Sequence, residues 1–417
     1  MKILVIGSGG REHALAWKMK QCSTVGRIYC APGNPGMAHL GECVNIEAEN
    51  IKELRAFALA KQIDLTVVGP EVPLTAGIVD EFRQSGLQII GPDKLGARLE
   101  ASKSYAKEFM VRYGIPTARY TKAFHPDEAK EQLKDFSYPV VVKADGLAAG
   151  KGVLICENEA QAHQALQQIM VDRVFGESGD MVVLEEYLTG IETSVLCFVD
   201  GKTILPMASS QDHKRIGDGD TGLNTGGMGT YSPNRIYTDA IARKVKKEIL
   251  LPTLHGIQQE GMDFRGILFV GLMITSQGPK VLEYNVRFGD PETQVVIPRL
   301  QTDLCLIFNQ MLNRNLSETK LEWRSETAVC AVLASGGYPE AYSTGLEIAG
   351  LDNLTEDVMV FHAGTREDQG RLVTAGGRVL NVAALGNTVE EAREKVYRAV
   401  DRIHFEGKTY RKDIGLV

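Results

Sequence analysis

At 417 residues the chain exceeds what one hydrophobic core usually serves, so two to four domains are expected. Its 44% hydrophobic and 24% charged residues can bury a large core and carry no signature of disorder. The formal net charge of −7 argues against general nucleic-acid binding, which needs a surplus of Lys and Arg, while leaving small anions in a locally basic pocket open. Seven cysteines without a C-x-x-C pair suggest neither a disulfide framework nor a zinc site. The opening apolar run is too short for a signal peptide, and no run reaches membrane-spanning length, so a cytoplasmic protein without membrane contact is expected.

The first hundred residues alternate strand and helix. Ile3 to Ile6 reads as a short buried strand, followed by the turn Gly7-Ser8-Gly9-Gly10 and a helix from Arg11 to Lys20. Further strands are expected at Leu65 to Val68 and Leu87 to Ile90, with a helix at Asn50 to Lys61. This alternation implies a parallel sheet with ligands at the carboxyl ends of its strands. The first turn is not a dinucleotide fingerprint, because Glu12 stands where the third glycine belongs and would repel a pyrophosphate. Two readings of it remain: an anion held at a helix N-terminus with help from Arg11, or a plain tight strand–helix turn.

From Ser102 the pattern changes. A helix is expected over Ser102 to Tyr113, then a strand over Tyr138 to Lys143 that leads into the glycine-rich stretch Asp145 to Gly152. That stretch is no P-loop: its glycine spacing is one residue short, and Gly152 replaces the magnesium-binding Ser or Thr. It reads either as a loop folding over a polyphosphate through backbone N–H groups or as a surface hairpin. Val153 to Cys156 and Met181 to Leu184 are further strands. Thr193 to Val199 and Lys202 to Met207 flank Asp200-Gly201, a type I′ hairpin signal. The polar segment Gln211 to Pro233 predicts a long functional loop, and Phe264 to Ile274 pairs with Lys280 to Arg287. A last unit begins after Trp323 and closes with a helix at Val389 to His404. The predicted division is residues 1–101, an N-terminal α/β domain; 102–323, a second domain with a subdomain at about 121–188; and 324–417, a small C-terminal domain.

Lys280 to Arg287 carries the strongest local signal. Strand alternation puts Glu283, Asn285 and Arg287 on one face and Leu282, Tyr284 and Val286 on the other. A carboxylate and an amide oxygen are hard ligands suited to magnesium, and a guanidinium suits a carboxylate or phosphate. The plainer reading is a sheet with one polar, solvated face. The polar run Phe288 to Gln294 that follows favours a site.

Taken in order, these residues resemble the ATP-grasp superfamily, over nearly the whole chain. The resemblance implies an α/β and α+β multidomain fold, with a parallel N-terminal domain, an ATP-grasp domain bearing a mobile lid, and a small C-terminal domain. It implies that Lys103, Lys143 and the loop around Gly150 contact ATP, that Glu185, Glu186 and Leu188 form the adenine hinge, and that Glu192 meets the ribose. Glu283 and Asn285 would hold Mg2+ or Mn2+. Four motifs resemble the phosphoribosylamine–glycine ligase family more closely: Gly7 to His13, Gly69 to Leu74, Asn224 to Gly229 and Arg287 to Gln294. They imply ligation of glycine to phosphoribosylamine through a glycyl phosphate, as in de novo purine biosynthesis, by a monomer or small homo-oligomer. Arg287, Lys143 and Asp290 would be catalytic, with Gly9, Gly10, Glu71, Asp212, Asn224, Gly226, Gly227 and Arg287 around the substrates. One departure concerns the metal. Many superfamily members carry a second metal carboxylate on the preceding strand, and Phe269 to Met273 has none.

Two other classes are weaker. A nicotinamide-dependent dehydrogenase has only the first glycine turn in its favour. A non-catalytic nucleotide-binding module gives no reason for Lys143, Glu283, Asn285 and Arg287 together.

Overall fold

A computed structural model describes residues 1–148 and 151–416. The N-terminal unit is a parallel sheet ordered Glu42–Cys43, Arg27–Pro32, Lys2–Gly7, Leu65–Val68, Ile89–Pro92. From Ile3 to Gly7 and from Leu65 to Val68 its central strands are continuously buried, and apolar apart from Thr66, because helices cover both faces. Helix Ile51–Lys61 starts where the Asn50 side chain accepts the Glu53 N–H, and it buries Leu54 and Ala58. The other helices sit within a residue or two of their predicted starts, and the closing helix ends at Val400 rather than His404.

This sheet does not stop at the domain edge. Strand Phe264–Thr275 pairs antiparallel with the end of Ile89–Pro92, through Phe264 opposite Pro92 and Arg265 opposite Gly91. It then runs on between Ile191–Val199 and Gly278–Asn285. Glycine is needed at the crossing: a Cβ on Gly266 would lie 2.9 Å from the Gly91 Cα. The N-terminal unit and the acidic strand are thereby held on one continuous sheet.

A separate four-stranded antiparallel sheet, in the order Tyr120–Ala123, Val182–Glu186, Val140–Ala144, Val153–Cys156, has its own core around Val140, Val142, Leu166, Ile169 and Leu184. The C-terminal unit is a five-stranded sheet covered by helix Val389–Val400.

Three local expectations change. Val199 pairs with Ile204, so the turn has four residues, and Gly201 alone among them has positive φ. The Asp200 carboxylate accepts the Lys202 and Thr203 N–H groups, which selects this longer loop over type I′. The segment from Gln211 to Pro233 is not one loop. Gln211–Asp212 and Gly229–Ser232 add to the C-terminal sheet, and Arg215–Gly217 pairs with Thr221–Asn224. The third change is a bulge in the acidic strand. Gly271 faces Glu283 and Leu272 faces Val281, so Leu282 is the extra residue. Val281, Tyr284 and Val286 share the main core, while Leu282 turns to Ala118, Leu188 and Met273.

Candidate active site

The four separated sequence motifs meet. Arg287 Nη2 lies 2.9 Å from Glu100 Oε1, and Nε lies 3.5 Å from Glu71 Oε2. The Arg11 N–H points to Asp290 Oδ2 at 3.5 Å, and the Arg11 side chain donates to the Phe288 oxygen at 3.2 Å. Gly9 lies beside Asp290, and Gly10 beside Gln294. A Cβ on Gly227, where φ is +112°, would sit 2.7 Å from Asp212 Oδ1, so only glycine lets this backbone approach the carboxylate. Asn224 pairs through its backbone with Arg215.

Glu12 settles the dinucleotide question on geometry. Its buried carboxylate accepts the Gly9 N–H at 2.6 Å and Arg11 Nε at 2.5 Å. The Gly9 N–H that would meet a pyrophosphate is already bonded to the protein's own anion.

Two groups of charges flank the acidic strand. In the first, Glu185 is buried between two lysines, with Lys143 Nζ at 2.7 Å and Lys107 Nζ at 2.9 Å. Burial alone would raise the Glu185 carboxyl, but Lys143 and Lys107 outweigh it and hold it low. Burial pulls Lys107 down to about 8. Lys103 donates to the Gly146 oxygen at 2.7 Å, next to Asp145, whose carboxylate takes the Ser104 N–H. Glu186 accepts the Arg119 N–H and Lys280 Nζ. Leu188, Met273, Ala118 and Leu282 make a small apolar surface beside these charges. Gly150 lies outside the described residues.

In the second group, Lys214 Nζ stands 3.4 Å from Glu192 Oε2 and 3.6 Å from Glu283 Oε1. Burial would raise the Glu283 carboxyl, yet Lys214, Lys143, Lys103 and Arg287 together bring it to about 2. Asn285 Oδ1 is 3.5 Å from Arg287 Nη2. Glu283 and Asn285 fit a hard divalent cation: an ionised carboxylate and an amide oxygen one strand repeat apart. The lack of a carboxylate on the neighbouring strand has a steric side, because a Cβ on Gly271 would lie 3.1 Å from Glu283 Cγ.

The signature loop is tied to the C-terminal sheet by Arg378. It donates to the backbone oxygens of Gly226 and Asp290, each at 2.8 Å, and its Nη2 lies 3.6 Å from Asp290 Oδ1. Burial would raise Asp290, but Arg378 and Arg11 lower it. Asp212 behaves in the opposite way: burial and then Glu292 push it well above the usual range, and its Oδ1 has no partner. His213 is a satisfied packing residue, with Nδ1 against the Gly229 oxygen at 3.3 Å and its ring against Tyr231.

Lys107, Lys214, Glu100, Glu292 and Arg378 were not singled out from the sequence. Lys107 had a signal, since it follows Lys103 by four residues on one helix face. Arg378 had none, because its partners are about 90 and 150 residues away.

A site that sets lysines and an arginine against a carboxylate–amide strand, under a separate antiparallel sheet, defines an ATP-grasp ligase. Family models agree. The phosphoribosylglycinamide synthetase N domain matches residues 1–100, its ATP-grasp (A) domain 101–293, and its C domain 328–417. The phosphoribosylamine–glycine ligase of Clostridium acetobutylicum is 53% identical over 100% of this chain and 99% of its own. That of Caldanaerobacter subterraneus is 49% identical, covering 99% of both chains. The crystal structure of the Thermotoga maritima phosphoribosylamine–glycine ligase superposes with a TM-score of 0.87 at 38% identity, covering both chains fully. A Campylobacter jejuni biotin carboxylase shares the fold alone, with a TM-score of 0.74 at 16% identity over 99% of this chain and 93% of that one. The chain belongs to the phosphoribosylamine–glycine ligase family.

Proposed function

We propose that this ligase joins glycine to 5-phosphoribosylamine at the cost of ATP, releasing glycinamide ribonucleotide, ADP and phosphate. The convergence of the four motifs around Arg287, between the lysines and the acidic strand, carries this reading. A carboxylate and an amine do not condense in water, so the carboxylate is first activated. Glycine's carboxylate oxygen attacks the γ-phosphorus of ATP and ADP leaves. The amine of phosphoribosylamine then attacks the glycyl carbon, and phosphate leaves.

Lys103 and Lys143 bind and orient the phosphates, and Arg287 holds the charge of the reacting carboxylate or phosphoryl group. Glu185, Glu186 and Leu188 border the adenine, with Leu282 and Met273 as its apolar bed, and Glu192 takes the ribose. Mg2+ or Mn2+, held by Glu283 and Asn285, would neutralise charge on the phosphates. Gly9, Gly10, Glu71, Asn224, Gly226 and Gly227 surround the phosphoribosylamine, and Asp212 or Asp290 meets an amine. The sheet of residues 121–188 acts as a lid that keeps water from the acyl phosphate. We assign residues 1–101, 102–323 and 324–417 to three domains in a cytoplasmic monomer or small homo-oligomer. Among the described residues no helix is long and apolar enough to cross a membrane.

The deciding experiment is ADP release with glycine alone, with the amine alone and with both. Full turnover only with both is expected. Full turnover with either substrate omitted would contradict the reaction.

A further inference from the structure

Lys214 differs from the other lysines of the site in how it is held. Lys107 and Lys143 sit at hydrogen-bonding distance, 2.9 and 2.7 Å, from a carboxylate buried with them. Lys214 hovers at 3.4 Å from Glu192 and 3.6 Å from Glu283, beyond an ordinary charged hydrogen bond from either. Its side chain is 34% exposed, and its partners are 43% and 36% exposed. The backbone beneath is fixed, because both the Thr225 N–H and the Thr225 hydroxyl bond to the Lys214 oxygen at 2.8 Å. The site therefore has a rigid base, a flexible four-carbon stem and an ammonium shared loosely between two carboxylates.

We propose that Lys214 is the resident counter-cation of this acidic pair, neutralising the Glu283 carboxylate that a divalent cation would bind and so making metal uptake depend on nucleotide. The inference rests on the assignment of Glu283 as a metal ligand. With Lys214 in place, the local charge of Glu192 and Glu283 is half neutralised, and a divalent ion gains little by entering alone. Nucleotide phosphates give the ammonium a new partner and restore the negative charge of the pair. Metal and nucleotide then bind cooperatively through a single lysine.

The test is Mn2+ titration of the whole protein, with free Mn2+ read by electron paramagnetic resonance, with and without ADP, the Mn2+ held by ADP in solution being subtracted from a protein-free titration. Wild type should bind Mn2+ weakly alone and at least about tenfold more tightly with ADP. Lys214→Met should bind Mn2+ about tenfold more tightly than wild type without nucleotide, because one positive charge within about 4 Å of the ion is removed. Lys214→Arg, which keeps the charge, should stay near wild type. Circular dichroism melting confirms that each variant is folded. Equal nucleotide-free affinities for wild type and Lys214→Met would overturn the proposal, provided Glu283→Gln still abolishes the ADP-dependent binding. If Glu283→Gln leaves that binding intact, the metal assignment itself fails, and the proposal falls with it.

Discussion

Arg378 donates to the backbone oxygen of Asp290 at 2.8 Å and sets its guanidinium 3.6 Å from the Asp290 carboxylate. With its bond to the Gly226 oxygen, one side chain of the C-terminal sheet fixes two loops of the site. Arg378→Met should remove this positioning without emptying a core. We expect kcat/KM to fall on the order of 10²-fold, the usual cost of displacing groups about 1 Å from productive geometry. Arg378→Lys should restore only part of the loss, because a point charge cannot reproduce the fork. Steady-state kinetics beside thermal melting check this, and full activity in the Met variant would leave the C-terminal unit without a role in the site.

Glu283→Gln should reduce turnover on the order of 10²- to 10³-fold while the protein still folds, with a lowered melting temperature because the attraction of Lys214, Lys143, Lys103 and Arg287 to the carboxylate is lost. The carboxyl is held at about 2, so it is ionised in any neutral buffer. Near-normal turnover at saturating magnesium would remove Glu283 from the metal site.

Local pattern made most of the elements legible. The apolar runs Ile3 to Ile6 and Leu65 to Val68 have the length and flanking glycines of buried parallel strands, and Asn50 and Ser102 announce their helices as caps. The acidic strand was legible as chemistry but not as register: nothing in Val281-Leu282-Glu283 marks which residue bulges, and the bulge moves Leu282 from the core to the site. The segment from Gln211 to Pro233 looked like a loop because its short strands are polar and glycine-rich, and the one that joins the C-terminal sheet, Gly229–Ser232, is fixed by a partner strand, Thr327–Ala334, about a hundred residues later. Lys214 was hidden for the same reason, as its carboxylates come from two other strands.

His13 and His362 make the docking of the first helix on the C-terminal sheet acid-sensitive. The His362 N–H donates to His13 Nδ1 at 2.9 Å, so this nitrogen must be unprotonated in the fold. Burial first, then His362 and His39, lowers His13 to about 3, and burial lowers His362 to about 4. A base with a lowered folded pKa leaves the unfolded chain binding more protons below about 6.5. Stability from these groups is thus complete above that pH and is lost as pH falls toward 4. Thermal melting between pH 7.5 and about 4.5 should show a steeper acid loss for wild type than for His13→Gln. Parallel curves would contradict it.

The buried trio Lys107, Glu185 and Lys143 yields a ranking. Glu185→Ala would leave two ammonium groups, 3% and 9% exposed, facing each other without a counter-charge. Breaking a buried ion pair on one side costs about 3–5 kcal/mol, so this variant should be the least stable of the three single changes. Lys107→Met should be milder, because Glu185 keeps Lys143 as its partner. It has a second effect that a purely structural role would not give. With Lys107 gone, Glu185 has one cation instead of two and holds Lys143 more tightly, so less of its charge reaches the ATP phosphates. The KM for ATP should rise by about tenfold while the KM for glycine stays put. Lys143→Ala should lose more, on the order of 10²-fold in ATP affinity or rate, as expected for a desolvated contact between charge and phosphate. Adding Lys107→Met to Lys143→Ala should then change the KM for ATP little, because the two act through one carboxylate. Additive effects in the double variant would mean that Lys107 meets the nucleotide by itself, and an unchanged KM in Lys107→Met would reduce it to a packing residue beneath the lid sheet.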